Sequence, residues 1–599
     1  MKIRWRFGVV AAVFAAVFAL YPQFKMIYLR GAEWNGHYAY NDIDEVAYAA
    51  YVKALIDGRP RKNDPYTGRD ETAASPQPES LFSIQFAAPY TVALPARVLG
   101  IGAPWAMTLS GAAAAFLTAL ALFWLIARLT GDEWFAMAFP AFFTLVGIVW
   151  KMMARETREV TGPEAGIAEK KTDGESSNDT AQISKTEDQS PTAAQARTYS
   201  TRTITLIAIA ACTFGYCVFS YFYVWTTAAA WLGCVGVCWL VFRPAGVIRD
   251  IKVLAGLGAG FALFLAPYAY LLSKRTQTMD DVQLLVRTHA PDLTRTPEMI
   301  SYLVLTVIAA AMLIKVFEFR DRAVIFTASL ALVPIAVFNQ QLLTGQTLQP
   351  IHYQVFIGNY VAGLALVLTL GLVWRQLSRD HGTTAKLLSA ALAVVSITWG
   401  FVECHYTVRV LDEANVARDE AVPVARRLTE LAAGDPDPHS SVVLHFGIAE
   451  ADDLPTIAPQ SLLWARHQHV FAGVSTQENK ERYYQLLYYQ GVTGEQLASA
   501  MKYNGDFVSI IALFGWGRHT DRLNSAYRPL TFGEIDDEVL RFRDYVRMFD
   551  PAKAGNRPPD YLIVGGDGPP DLQNVDRWFE RDAGEAIGKY VLYKLKQRK

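Results

Sequence analysis

The sequence predicts an α-helical polytopic membrane protein with about eleven transmembrane helices, followed by a smaller α/β domain. The chain has 599 residues, and 52% of them are hydrophobic, a share that ordinary soluble proteins of this length do not need. Apolar runs of ~16–25 residues recur up to about Val402, and each is long enough, or nearly so, to cross a bilayer. After Val402 these runs stop. We therefore predict a membrane part at residues 1–402 and a soluble part at residues 403–599.

Basic residues in the short connecting loops predict the orientation of the helices. The apolar runs lie at residues 7–26, 84–101, 105–129, 135–150, 204–219, 222–242, 253–272, 300–316, 323–338, 355–373 and 387–402. Arg4 and Arg6 precede the first run, and clusters of Lys and Arg follow the sixth, eighth and tenth. With about eleven spans these clusters all lie on one side, which the positive-inside rule assigns to the cytoplasm. We expect a multi-pass protein of a bacterial inner membrane, with residues 403–599 outside the cytoplasm.

This orientation places three of the longer loops outside the cytoplasm and one inside it. Residues 27–83, 273–299 and 339–354 form three external loops. Residues 154–202, between the fourth and fifth runs, are rich in Ser, Thr, Glu, Lys and Ala and have no apolar periodicity. Such a composition cannot bury a core, so we predict a disordered cytoplasmic insert there.

The soluble part alternates between strand and helix patterns. The segments 441–446, 561–564 and 590–593 are strand-like. Ser475 with Glu478, and Thr531 with Glu534, have the spacing of capping boxes that open helices. These patterns predict an α/β domain.

Composition also excludes some function classes. The formal net charge is −1, so nothing indicates binding to nucleic acid. Of the five cysteines, Cys234 and Cys238 share a helix face in an apolar run without His or acidic neighbours, which indicates small packing residues rather than metal ligands.

An acidic patch lies at residues 41–45, near the start of the predicted first external loop, and contains candidate catalytic residues. Asp42 and Glu45 are three residues apart, so Asp42 fits the cap of a helix with Glu45 at its third position. A cap leaves Asp44 unexplained. A carboxylate at a membrane surface can accept a proton from a hydroxyl group, which keeps a catalytic interpretation open beside the structural one.

The run Asp44-Glu45-x-x-Tyr48-Ala49, after one transmembrane helix, resembles the acidic motif of the GT-C glycosyltransferases. Protein O-mannosyltransferases and bacterial lipid A aminoarabinose transferases carry an Asp-Glu pair at this place. The resemblance implies a polyprenyl-phosphate-linked sugar as donor, an acceptor hydroxyl on a glycan, lipid or protein, and inversion at the anomeric carbon. It assigns the acidic pair to Asp44 and Glu45, with Asp42 as a rival. Asp44 would be the general base, and Glu45 would orient it or the acceptor.

External residues are candidates for the remaining binding roles. The donor phosphate needs fixed positive charge, although a basic loop also suits water or lipid headgroups. Candidates for it are Arg59, Arg61, Lys62, Lys274, Arg275, Arg287 and His289. Amides and aromatic rings suit a sugar but also an ordinary turn between helices. Candidates for sugar or acceptor binding are Asn339, Gln340, His352 and Tyr353.

No fixed spacing of metal ligands occurs, so we assign no metal residues and leave a divalent cation open. Two other function classes remain open as well. A flippase or transporter for lipid-linked glycans would need ionisable residues near the middle of the membrane, where the runs are nearly free of charge. A non-catalytic scaffold would use residues 403–599 to bind a partner.

Overall fold

The computed structural model describes residues 3–138, 201–276, 278–280, 287–347, 349–377, 382–471, 473–519, 528–565 and 571–598. The predicted insert at 154–202, apart from its last two residues, lies outside these ranges. Most of the predicted span at 135–150 lies outside them too.

Within the described residues, eight helices are long and apolar enough to cross a membrane. They are Trp5–Glu33, Ala103–Thr130, Thr201–Val218, Phe222–Phe242, Val247–Leu272, Thr296–Leu313, Pro350–Gln376 and Gly382–Leu431. A further apolar helix, Arg322–Phe338, has 17 residues, and its Val324 and Ala331 are fully buried in the bundle core. The prediction of a polytopic helical membrane protein is therefore confirmed.

The predicted second span, at 84–101, is wrong. Its helix, Ala87–Leu99, has only 13 residues and is about 20 Å long, which is shorter than the ~30 Å hydrocarbon core. The helix packs beside Glu45–Ile56 and shares its core, where Ala93 is fully buried. Its other face is apolar and exposed at Leu94, Val98 and Leu99. The run therefore has the hydropathy of a span, although its helix is too short to be one.

The three loops predicted on the external side meet at one end of the bundle. The Asp292 backbone N–H donates to Asn339 Oδ1 at 2.9 Å, which joins the second loop to the third. An isolated bridge between Glu79 and Arg275 joins the first loop to the second. The opposite end has ion pairs of its own, such as Arg375 with Asp321 at 3.2 Å.

The residues after the last apolar helix form a six-stranded sheet covered by helices. Its strands are β1 Val442–His445, β2 Ser461–Leu462, β3 Tyr561–Gly565, β4 Phe579–Arg581, β5 Glu585–Ile587 and β6 Tyr590–Gln597. The order is β2-β1-β3-β6-β4, and β5 pairs with β6. β1 runs parallel to β2 and β3, whereas β6 is antiparallel to its neighbours. The three predicted strand segments coincide with β1, β3 and β6.

Helices between these strands start where the sequence predicts. Ser475 accepts the Glu478 backbone N–H at the start of Thr476–Tyr489, and Thr531 forms a full capping box with Glu534. The other main helices here are Asp412–Leu431, Ile448–Asp453, Gly494–Tyr503, Phe507–Phe514 and Phe532–Met548. Shorter helical segments lie at Leu81–Ile84, Gln341–Thr344, Pro350–His352 and Gln573–Asp576.

The parallel strands bring two sequence-distant segments to one edge. The helix Ile448–Asp453 follows β1, and His467 follows β2. Carboxyl ends of neighbouring parallel strands meet at the same edge of a sheet, where ligand sites are common. This edge contacts the first loop, because Tyr66 packs in the same core as Ala451.

Candidate functional site

A cavity of about 390 Å³ lies where the first and third of the predicted external loops meet the sheet edge. Its walls come from three parts of the chain: the first loop, the start of the helix at Pro350, and residues 467–519. The lining residues with polar or aromatic groups are Asp42, Asp44, Tyr48, Phe82, Gln349, His352, His467, Phe507, Trp516 and His519. Carboxylates, imidazoles and aromatic rings thus share one space.

Asp44 lies at the wall of this cavity. It precedes the helix Glu45–Ile56, and its backbone N–H donates to Asp42 Oδ1 at 3.0 Å. Its side chain remains 56% exposed, because it faces the cavity although protein surrounds it on most other sides. The sequence predicted Asp42 as the helix cap, but Asp44 holds the N-cap position, and Asp42 instead fixes the turn before it.

Glu45 is not among the lining residues. Its Oε2 accepts the Asn41 backbone N–H at 3.3 Å, and its carboxyl also hydrogen-bonds Tyr38. Burial raises the pKa of Glu45 to about 7. The acidic pair of the motif is therefore divided: Asp44 faces the cavity, and Glu45 faces the protein.

Sequence reasoning missed the partners of Asp44. His467 Nε2 lies 3.3 Å from Asp44 Oδ1, and His467 Nδ1 lies 2.6 Å from Asp452 Oδ2. Asp452 also accepts the His467 backbone N–H at 3.0 Å, and its side chain is 1% exposed. A partial signal was present for Asp452 only, because it lies in the helix after β1, a strand that the sequence predicts. β2 has just the two residues Ser461 and Leu462, so no local pattern indicated His467.

Neighbouring charges shift the pKa values of Asp44 and His467 in opposite directions. Burial would raise the pKa of Asp44, but the hydrogen bond and charge of His467 outweigh it, so the pKa lies below its usual value. Burial would lower the pKa of His467, but Asp452 and Asp44 outweigh it and raise that pKa. The arrangement favours a carboxylate at Asp44 and an imidazolium at His467.

The predicted sugar-binding residues separate into two groups. His352 lines the cavity, together with Gln349 from the same loop. Tyr353 is buried, and its hydroxyl hydrogen-bonds Thr226. Asn339 and Gln340 tie the loop together through backbone carbonyls: Asn339 Nδ2 donates to Asp292 O at 2.8 Å, and Gln340 Nε2 donates to Gln346 O at 2.7 Å.

The basic residues of the first loop lie in ion pairs away from the cavity wall. Their partners are carboxylates of the same loop. The pairs are Arg59–Asp70 at 2.7 Å, Arg61–Glu79 at 2.7 Å and Lys62–Glu71 at 2.6 Å.

The second-loop candidates are not among the lining residues either. Lys274 is exposed beside the Tyr270 ring, and Arg275 pairs with Asp280 at 2.5 Å. Arg287 is exposed and bridges to Gln346. His289 Nδ1 lies 3.2 Å from Leu342 O. Their role in phosphate binding stays a prediction.

In the part of the chain that the structure describes, no group of three or more His, Cys, Asp or Glu side chains is arranged to hold a metal ion. Comparison with known proteins adds no identification: no protein-family model matches the chain, and a search of curated proteins found no match.

Proposed function

We propose that this chain is a membrane glycosyltransferase that moves a sugar from a polyprenyl-phosphate donor to an acceptor hydroxyl, with Asp44 as general base. The supporting observation is the state of the Asp44 carboxylate. Its Oδ1 is held by His467, and its Oδ2 has no hydrogen-bond partner among the described residues. An ionised carboxylate with one oxygen available at a cavity wall is suited to accept a proton.

The reaction balances with the groups present. The acceptor oxygen forms a bond to the anomeric carbon as its proton passes to Asp44 Oδ2. The bond between that carbon and the phosphate oxygen breaks, and its electron pair leaves with the lipid phosphate. Because the acceptor attacks the face opposite the leaving group, the configuration inverts. Negative charge near an oxocarbenium-like transition state also stabilises it. Asp42, on the same wall, supplies further charge of that sign.

The cavity walls suit a sugar. Tyr48, Phe82 and Trp516 provide aromatic surface for its apolar face, and Gln349 can hydrogen-bond its hydroxyl groups. The imidazoles of His352 and His519 can donate hydrogen bonds to the leaving phosphate.

The proposal places this reaction on the extracytoplasmic face of an inner membrane. One feature supports that side. The loops that surround the cavity belong to the end of the bundle opposite the positively charged connections, which the positive-inside rule assigns to the cytoplasm. A second feature concerns access and not the side: Gln349 and His352 lie at the start of an apolar helix, so a polyprenyl donor would reach the cavity from the membrane.

Mass spectrometry of surface glycans tests the proposal in cells. Cells with the intact protein, with Asp44→Asn, and without the protein are compared. We expect Asp44→Asn to lose the same glycan as the deletion, since general-base help is worth about 10²–10⁴-fold.

Asp57→Asn is the matched control. Asp57 follows the same helix at its other end and pairs only with Lys53 among the described residues. It should leave the glycans unchanged. An unaltered glycan profile in cells that carry a normally folded Asp44→Asn protein would overturn the proposal.

A further inference from the structure

His467 lies between two carboxylates from distant parts of the chain. Asp452 accepts from its Nδ1 at 2.6 Å, and Asp44 Oδ1 lies 3.3 Å from its Nε2. A neutral imidazole has one N–H and can donate to only one of these partners, whereas the imidazolium donates to both. The imidazole side chain is 3% exposed and that of Asp452 is 1% exposed. Arg466 Nη2 also lies 3.5 Å from His467 Nε2 and opposes a positive ring, but the contact with Asp44 at that nitrogen is shorter. The two carboxylate contacts therefore favour a doubly protonated ring.

We propose that His467, fixed by Asp452, is a positioning residue that holds Asp44 ionised and turns its Oδ2 toward the cavity. This inference rests on the proposed function of Asp44 and adds what orients it. One Asp44 oxygen is engaged by the ring, so the other oxygen is the one that meets the acceptor hydroxyl. The rotation of the carboxylate about its side chain is thereby restricted, which reduces the entropy lost in reaching the reactive geometry.

His467 itself is not the proton acceptor. Both of its ring nitrogens face carboxylates, so neither has a lone pair directed at the cavity. The pattern is that of a base oriented by a second group, which a third group fixes in turn. Here the order is Asp44, His467 and Asp452.

Other charged groups contact the series Asp44, His467 and Asp452. Arg466 Nη2 lies 3.5 Å from Asp452 Oδ2 and donates to Ile43 O at 3.4 Å. Burial and this positive charge lower the pKa of His467, but the charge of Asp452 and the hydrogen bonds to Asp44 and Asp452 outweigh them. Two carboxylates thus face one imidazolium and one guanidinium. His352 and Asp42 face Asp44 from the other walls of the cavity. Burial lowers the pKa of His352, so His467 is the main positive neighbour of Asp44.

The arrangement makes the site composite. Asp44 comes from the first loop, and both positioning groups come from the sheet edge more than 400 residues later, since Asp44 and His467 are 423 residues apart. The residues after the membrane helices are then part of the reaction site and do more than bind a partner.

A titration of the His467 side chain tests the inference without any substrate. The full chain, with ¹⁵N-labelled histidine, is placed in lipid nanodiscs, and the His467 signals are assigned by their loss in His467→Gln. We expect the titration midpoint of His467 to lie above that of a free imidazole, with both ring nitrogens protonated at pH 6. Asp44→Asn should move the titration midpoint to lower pH, and Asp57→Asn should leave it unchanged. A midpoint at or below that of a free imidazole, or an equal midpoint in Asp44→Asn, would overturn the inference.

The pH dependence of transfer gives the second reading. In the intact protein the acid limb of the rate profile reports the lowered pKa of Asp44. Loss of the imidazolium in His467→Gln raises that pKa, so the acid limb should move to higher pH, with partial recovery of rate above it. A role in folding alone would lower the rate equally at every pH, and that result contradicts the inference. Absence of transfer in the intact protein would sink the proposed function but leave the titration result standing, so the two failures are distinguishable.

Discussion

Two neighbouring carboxylates, Asp452 and Asp453, each bind a histidine, but the two pairs have different surroundings. Asp453 Oδ2 lies 2.7 Å from His37 Nε2, and its Oδ1 accepts the Tyr40 hydroxyl at 2.7 Å. That pair is buried on all sides, with 2% of the His37 side chain and 4% of Asp453 exposed. The Asp452 pair is equally buried, yet its histidine continues to Asp44 and the cavity.

The difference shows that burial and pairing alone do not identify a functional histidine. His37 and Asp453 join the first loop to the helix Ile448–Asp453, and their hydrogen bonds end within the protein. His467 also joins the helix Ile448–Asp453 to the first loop, but its partner in that loop is Asp44, whose Oδ2 is available at the cavity. The second contact is the feature that separates a positioning group from a structural one.

The largest expected effects come from exchanging the two carboxylates for amides. Asp453→Asn breaks a buried pair, so we expect the free energy of unfolding to fall by about 3–5 kcal/mol. The transfer rate of the protein that remains folded should be unchanged. Asp452→Asn should lose stability similarly and also lower the transfer rate about 10²-fold, because Asp44 is no longer oriented. Thermal unfolding measures the stability of both variants, and the transfer rate is measured per folded molecule. Equal transfer rates in Asp452→Asn and Asp453→Asn would contradict a positioning role for Asp452.

An intermediate effect is expected at Arg61, whose sequence-based role was phosphate binding. Arg61 donates two hydrogen bonds to Glu79, which is 4% exposed. Arg61→Gln removes both of these hydrogen bonds and leaves Lys62, 3.6 Å from Glu79 Oε1, as the remaining charge partner. The substitution should therefore cost about 2 kcal/mol of stability.

The double variant Arg61→Gln with Glu79→Gln is the control, and it should recover part of that stability. Thermal unfolding measures both variants. An undiminished stability of Arg61→Gln, together with a raised KM for the donor, would instead favour phosphate binding at Arg61.

The smallest expected effect is at the aromatic wall. Trp516 lines the cavity and donates from its Nε1 to His469 Nε2 at 2.7 Å. Trp516→Ala removes stacking surface for a sugar and should raise KM about tenfold, with a smaller change in kcat, because aromatic contacts are worth about 1–2 kcal/mol. Tyr503→Ala, an exposed ring that does not line the cavity, should leave KM unchanged. Steady-state kinetics of the two variants compares them.

The parts of the architecture that local sequence patterns determine could be predicted from the sequence. Apolar runs predicted the long helices, and Ser/Thr-x-x-Glu spacing located two helix starts in the soluble part. Hydropathy failed at 84–101, because it averages apolar side chains over a window and does not register that the helix covers only Ala87–Leu99.

For the candidate site, the motif located Asp44 at the cavity, and the role assigned to it stays a prediction. The motif did not indicate that Glu45, unlike Asp44, faces the protein, because that difference depends only on the direction in which the helix orients each side chain. His467 and Asp452 were missed because their contact with Asp44 depends on the parallel pairing of β1 and β2, which the sequence does not encode locally.

The central claim is tested most directly by the fate of the donor in reconstituted vesicles. Purified chain is incorporated into vesicles that contain both polyprenyl-phosphate-linked sugars and the acceptor fraction extracted from cells that lack the protein. Free polyprenyl phosphate and glycosylated acceptor are measured by mass spectrometry. We predict that the intact protein releases both in equal amounts and that Asp44→Asn releases at least about 10²-fold less. Movement of the lipid-linked sugar across the vesicle membrane without its consumption would contradict the account.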